Sequence, residues 1–174
     1  MGRRLAAVVA CVLLTGAAGG AQSLLTRDEA LGLAYPGASF KAERVFLTAD
    51  QQRRAGEIGG QPVASALVAR YTATRADRVV GRAYVDTHTI RTKKESLLIS
   101  LDEAGKVKRV DVTAFLEPPE YQAPQPFMNQ FNGRELTDDL QVQRAIRPVA
   151  GATLTVNAVT DAVRRVLAID AVLK

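Results

Sequence analysis

Two threonines close to the C-terminus, Thr153 and Thr155, are the residues best suited to hold a phosphate. Residues 150–155 read Ala-Gly-Ala-Thr-Leu-Thr, and apolar residues then recur at helical spacing, which predicts an amphipathic helix over 156–173. The start of a helix offers unpaired backbone N–H groups and a partial positive charge, and Gly151 lets a phosphate approach the backbone closely. The alternative is that Thr153 or Thr155 only caps the helix by accepting a backbone N–H bond.

The second face of this predicted helix carries polar residues. Asp161 and Arg165 are four residues apart, a spacing that favours an ion pair along one helix. Arg164 falls on the same side, so we expect a polar face opposite the apolar one.

Residues 151–155 resemble the flavin-attachment signature of the FMN-binding domain family, Ser/Thr-Gly-Ala-Thr-x-Thr/Ser followed by an apolar helix. The chain departs from this pattern at Ala150, where Ser or Thr is usual, and at Arg147, where covalent members commonly have Asp. In covalent members the threonine after Gly-Ala carries FMN through a phosphoester, and Thr153 holds that position here. The resemblance implies FMN as the cofactor, and the two departures leave noncovalent binding open beside a covalent phosphoester. The matching residues are Gly151, Ala152, Thr153 and Thr155.

Two upstream motifs resemble the same family and occur in its order. Residues 117–120 read Glu-Pro-Pro-Glu, where the family often has Glu-Thr-Pro-Gly. Residues 127–134 read Phe-Met-Asn-Gln-Phe-Asn-Gly-Arg, where it has Phe-x-x-Gln-Phe-x-Gly-Lys. With the hairpin predicted ahead of them, the resemblance covers residues 66–174. For Phe127 and Phe131 we favour core packing, because residues four apart share one face of a helical turn.

The resemblance also implies that a turn between two strands lies near the flavin. His88 falls between hydroxyl-bearing residues on this predicted turn, which indicates an accessible side chain, and a donor or positive charge from His88 or Arg91 would stabilise a reduced flavin. The alternatives are a polar turn with a solvated basic run and, for Glu117, a solvated loop carboxylate. The predicted cofactor-binding residues are Thr153, Gly151, Ala152, Leu154, Thr155, Glu117, His88 and Arg91.

The elements that must position these residues are predicted by periodicity and turn signals. Strands in the middle of the chain with helices at both ends predict an α+β domain, an antiparallel sheet flanked by helices, similar to an FMN-binding domain. The predicted helices cover residues 25–35, 49–58 and 156–173, with a helical turn over 127–131. The predicted strands cover residues 41–48, 66–74, 79–86, 95–101 and 107–115.

Residues 1–21 have the pattern of a secretory signal peptide. Arg3 and Arg4 precede an apolar run over 5–14, and small residues follow up to Ala21. We therefore expect one domain over 22–174 that is exported to the periplasm or the outer face of the cytoplasmic membrane. Cleavage after Ala21 would lower the formal net charge from +5 to +3, which does not indicate nucleic acid as a partner.

The residue types exclude several kinds of site from the expected mature protein. Cys11, the only cysteine, leaves with the predicted signal peptide, which excludes a disulfide, an iron–sulfur cluster and a c-type haem attachment. His88 is the only histidine, so neither Cys/His catalysis nor a zinc site built from a histidine pair is expected. The Gly-x-Ser-x-Gly motif and the glycine-rich nucleotide-binding motifs are also absent from the sequence.

The sequence therefore predicts an exported FMN-binding electron-transfer protein whose flavin is anchored through its phosphate at Thr153. Its expected partners are redox proteins such as cytochromes or a membrane electron-transport complex, together with a flavin transferase if attachment is covalent. We expect an electron carrier rather than an enzyme with its own substrate. The alternatives are a cofactor-free secreted α+β binding module and a small flavin-dependent reductase.

Overall fold

The computed structural model describes residues 24–174, and the predicted signal peptide lies outside this part. Helix α1 (Arg27–Ala34) begins at Thr26 and helix α2 (Ala49–Gly59) begins at Thr48. In each case the threonine and the residue three positions later form a reciprocal capping box, which satisfies backbone donors at the helix start. Both helices were predicted, and both predictions are confirmed.

The five strands form one antiparallel sheet whose spatial order is the chain order. The predicted α+β class is thereby confirmed. The turn between the second and third strands contains no glycine; Ala76 and Asp77 instead adopt left-handed backbone angles, which suit a two-residue hairpin. The strands are β1 (Ser39–Phe46), β2 (Leu67–Arg75), β3 (Arg78–Thr89), β4 (Lys94–Asp102) and β5 (Val107–Phe115).

Helices cover both faces of the sheet because neighbouring residues of β4 point to opposite sides. Leu97 and Ile99 belong to the main core with α2 and the long helix α4 (Thr153–Val172), whereas Leu98 packs in a smaller core with α1. The short helix α3 (Gln125–Met128) and the 3-10 turn after it (Asn129–Phe131) also pack into the main core.

Phe127 and Phe131 lie in this main core, as the sequence predicts. Both rings are buried, and they meet edge to face with centroids 5.5 Å apart. The Phe/Gly element of the family resemblance is therefore a packing element of the main core, to which α4 also contributes residues.

Two predictions for the polar face of α4 are wrong. Arg165 pairs with Asp86 on β3, at 2.8 Å between Nε and Oδ2, and not with Asp161 on its own helix. Arg164 is buried and donates to the carbonyl of Gly59 at the end of α2. Both arginines point toward neighbouring elements because α4 is covered on more than one side.

A second ionic contact fixes α4 to the sheet near its C-terminus. Asp170 accepts hydrogen bonds from Arg82 and Tyr84 on β3, which fixes the C-terminal part of α4 against the first half of β3. None of the helices within residues 24–174 is long and apolar enough to cross a membrane.

Candidate functional site

A cavity of about 220 Å³ lies at the N-terminal end of α4. Three segments line it: residues 90–91 after β3, the loop residues Glu117 and Tyr121 after β5, and residues 151–155. These are three of the segments singled out in the sequence. Of the predicted cofactor-binding residues, the cavity brings together Gly151, Ala152, Thr153, Leu154, Thr155, Glu117 and Arg91.

Helix α4 begins one turn earlier than predicted, and this changes the roles of both threonines. Its N-cap residue is Ala152, which has no side-chain acceptor, so neither Thr153 nor Thr155 caps the helix and the capping alternative is wrong. Thr153 is exposed in the first turn and faces the cavity. The first-turn N–H groups therefore have no side-chain cap and remain available to a ligand.

Gly151 gives this turn a shape that other residues adopt only with strain. Its φ of +81° lies in the left-handed region, and the space where a side chain would begin contains no other atom within 4 Å. The backbone ahead of α4 is therefore open to the cavity.

Thr155 is a structural contact between the helix and the loop after β5. The residue is buried, and its Oγ1 donates to the carbonyl of Tyr121 at 2.7 Å. Thr155 points inward because it lies two positions after Thr153 in the first turn. The contact holds one wall of the cavity against another.

Glu117 organises the turn that follows β3. Its Oε1 accepts backbone N–H bonds from Arg91, Thr92 and Lys93, at 3.3, 2.8 and 2.8 Å. The residue is only 8% exposed, so the alternative of a solvated loop carboxylate is wrong. The N–H groups of Thr92 and Lys93 hold the pKa of Glu117 below its usual range, because they bind the ionised carboxylate.

Arg91 carries a positive charge at the cavity. Its guanidinium lies 5.6 Å from the centre of the Tyr121 ring, in cation–π geometry. Since Glu117 holds the backbone of this turn and Thr155 holds the backbone of Tyr121, both partners are kept in place by buried polar contacts.

His88 is not on an accessible turn, and that part of its prediction is wrong. It lies on β3, its side chain is 12% exposed, and it does not line the cavity. Its Nδ1 is 2.9 Å from Asp86 and its Nε2 is 3.1 Å from Glu95. Its role beside a flavin stays a prediction.

Together with Arg165, these residues form a buried ion cluster (Asp86, His88, Glu95 and Arg165) between the sheet and α4. Burial opposes the imidazolium, but the carboxylates of Asp86 and Glu95 outweigh it and raise the pKa of His88 to about 9. Burial also raises the pKa of Glu95, whereas His88 and Arg165 hold the pKa of Asp86 down despite its burial. Within the cluster, Asp86 therefore pairs with both basic groups, and His88 also contacts Glu95.

Two cavity residues were missed in the sequence. Ile90 and Tyr121 line the cavity, and Tyr121 is 37% exposed. The available signal for Tyr121 was its place directly after a Pro-Pro-Glu loop. An aromatic ring on such a loop is less able to reach the core of the protein. Ile90 follows a strand predicted to end at Asp86, so no local signal indicated it.

The family model of the FMN-binding domain matches residues 93–168, which includes β4, β5, the Glu117 loop and most of α4. Neither the curated proteins nor the solved structures gave a match to the chain.

Proposed function

Because this chain belongs to the FMN-binding domain family over residues 93–168, we propose that it is an exported electron carrier that holds FMN at the N-terminal end of α4. The observation that supports this most directly is the exposed Thr153, which faces a cavity at a helix start that has no side-chain cap. A phosphate suits this position, since first-turn N–H groups and the helix dipole both favour an anion.

The residues around Thr153 fit the phosphate end of FMN. Gly151 leaves open space beside the turn, and Thr153 offers a hydroxyl for a phosphoester. A covalent bond would also keep an exported protein from losing its cofactor. Ala150 and Arg147 depart from the covalent pattern, so noncovalent binding at the same place is the alternative mode. Arg147 itself lines a different cavity, beside Phe127 and Gln130, and does not line the one at Thr153.

The other walls of the cavity fit a ring that is partly exposed. The volume of about 220 Å³ is below the roughly 300–1,000 Å³ of pockets that bury most of a ligand. Bound FMN would supply one- and two-electron chemistry. The chain would contribute the aromatic face of Tyr121, the side chain of Leu154, and the Arg91 cation, which stabilises negative charge on the reduced ring.

Export is part of the proposal because residues 1–21 have the pattern of a secretory signal peptide, with Arg3 and Arg4 ahead of an apolar run and small residues. The carrier would then work in the periplasm or at the outer face of the cytoplasmic membrane, exchanging electrons with cytochromes or a membrane electron-transport complex. N-terminal sequencing of the protein from its host should begin near Gln22, and a start at Met1 would contradict export.

The cofactor is tested by the absorption spectrum and intact mass of the protein purified from its native host. We expect a flavin spectrum and a mass increase of one FMN less one water, the balance for a phosphoester, retained in Thr155→Ala and lost in Thr153→Ala. A flavin spectrum without the mass increase would indicate noncovalent binding. A colourless protein from the native host would contradict the proposal and favour a cofactor-free binding module.

A further inference from the structure

We propose that the basic side chains beside the cavity form a docking surface for an acidic redox protein. These side chains, named here the basic collar, are Arg91, Lys93 and Lys94, and all three are exposed. The inference rests on the proposed function, because a carrier whose flavin lies at this cavity must meet its partner there.

The collar is held in one place by buried contacts. Glu117 accepts N–H bonds from the backbone of Arg91 and Lys93, so the turn cannot swing away from the cavity without breaking them. Lys94 begins β4, and its carbonyl accepts the N–H of Leu116. A backbone that is already held loses less freedom on binding than a mobile one does.

Within residues 24–174, no carboxylate of the protein neutralises the charges of the collar. Within the described residues, none of the three side chains has a carboxylate oxygen within 4.0 Å. By contrast, Arg82 pairs with Asp170 and Arg109 with Asp111. The Glu117 carboxylate is occupied by backbone N–H groups, so Glu120 is left as the exposed carboxylate of the adjoining loop.

Exposed apolar side chains lie beside these charges. Leu116 is 59% exposed, Leu154 48% and Tyr121 37%, and the latter two line the cavity. An apolar centre with a charged rim is the usual anatomy of a protein–protein interface. Because the rim here is positive, the complementary partner carries carboxylates around its own redox centre, which also accelerates encounter at low salt.

The test uses one redox protein in two charge states, native cytochrome c, which is basic, and its succinylated form, which is acidic. Binding to the purified protein is measured by surface plasmon resonance with and without FMN. We expect the succinylated form to bind more tightly at low ionic strength, and the difference to collapse in high salt, where charges are screened. Lys93→Glu/Lys94→Glu should weaken this binding roughly tenfold, and Lys93→Gln/Lys94→Gln less.

The matched control is Arg54→Glu/Arg78→Glu, which makes the same charge change elsewhere. Arg54 lies on α2 and Arg78 at the opposite end of β3, and both are exposed. Compared at about 0.1 M ionic strength, where the Debye length is about 10 Å, this variant should bind the succinylated form within about twofold of the wild type, because exposed charges farther away than that are screened. An equal loss in both variants would overturn the docking surface, as would equal binding of the two cytochromes.

Anionic phosphatidylglycerol vesicles separate a membrane from a protein partner. Binding to vesicles through Lys93 and Lys94 without binding to succinylated cytochrome c would overturn the proposal in favour of a lipid surface. Failure of the proposed function has a different result: the protein would lack a flavin spectrum, while its binding to succinylated cytochrome c would still be measured on the flavin-free form.

Discussion

The turn after β3 and the buried ion cluster both combine carboxylates with basic groups, but they treat those charges differently. In the cluster, Asp86 and Glu95 enclose His88, and Asp86 also binds Arg165. In the turn, Glu117 binds backbone N–H groups, so the side chain of Arg91 stays free to reach the cavity. In the cluster the charged groups pair with one another, whereas in the turn the positive charge of Arg91 is left available at the cavity.

This difference separates the charged residues that hold the structure together from those that can meet a ligand. His88 has the most unusual pKa of the two regions, yet its ring nitrogens are both engaged and it does not line the cavity. Arg91 is exposed and lies where a ligand can meet it. The strongly raised pKa of His88 therefore belongs to the contacts that attach α4 to the sheet. The candidate site is marked instead by the accessible cation of Arg91.

Removing the centre of the buried cluster should give the largest effect. Asp86→Ala leaves His88 and Arg165 buried without their shared carboxylate, which costs about 3–5 kcal/mol of unfolding free energy. Urea denaturation followed by circular dichroism measures it. Thr87→Ala, an exposed neighbour on β3, is the control and should cost less than about 1 kcal/mol. Equal costs would remove the cluster as the anchor of α4.

The pH dependence of stability should report the same cluster through His88. Its folded pKa of about 9 exceeds the usual 6.5, so the folded state holds its proton more tightly. The stabilisation is complete below pH 6.5 and is lost as the pH rises toward 9, up to about 3 kcal/mol by linkage. Denaturation across this window should show the fall in the wild type and a flatter profile in His88→Gln. Parallel profiles would mean that His88 is not the titrating group.

Substitutions of Thr153 and Thr155 should affect the stability of the protein differently, because the first residue is exposed and the second is buried. Thr155→Val removes the hydrogen bond to the Tyr121 carbonyl with little change in volume, at a cost of about 1 kcal/mol. Thr153→Val changes an exposed residue and should stay within about 0.5 kcal/mol of the wild type. Thermal unfolding of the flavin-free protein measures both, and the reverse order would contradict the assigned roles.

Elements with strong local signals were predictable from the sequence. Thr26 and Thr48 each stand three residues before an acceptor side chain, and both helices begin there. The start of α4 was placed too late because its N-cap, Ala152, gives no capping signal. The three segments that meet at the cavity were identified through the family resemblance, because their motifs occur in the same order along the chain as in the family.

The roles of individual polar residues depended on contacts distant in sequence. β3 continues to Thr89 because its polar end pairs with β4, where Glu95 faces His88. Arg165 pairs with Asp86, which lies 79 residues away in the sequence, and not with the nearby Asp161. Such pairings have no signature in a local pattern, because spacing along one helix cannot indicate which other element will cover it.

The smallest effect should come from changing Glu117, which holds the backbone of Arg91 in place. Glu117→Gln removes a negative charge near the cavity but keeps an acceptor oxygen for the amides of Thr92 and Lys93. Glu117→Ala removes the charge and the acceptor together, so Arg91 is no longer held beside Tyr121. Both changes favour reduction of bound FMN by loss of negative charge, and only Glu117→Ala also loses the positioned cation. The flavin potential of Glu117→Ala should therefore lie below that of Glu117→Gln.

Two further measurements isolate this positioning effect. In the flavin-free protein, the amides of Thr92 and Lys93 should exchange hydrogen faster in Glu117→Ala than in Glu117→Gln, because only the second keeps an acceptor. Glu120→Ala, which removes an exposed carboxylate of the same loop, should leave that exchange unchanged. In an Arg91→Gln background the two Glu117 variants should have the same potential. A difference that persists there would mean that Glu117 acts on the flavin by a route other than Arg91.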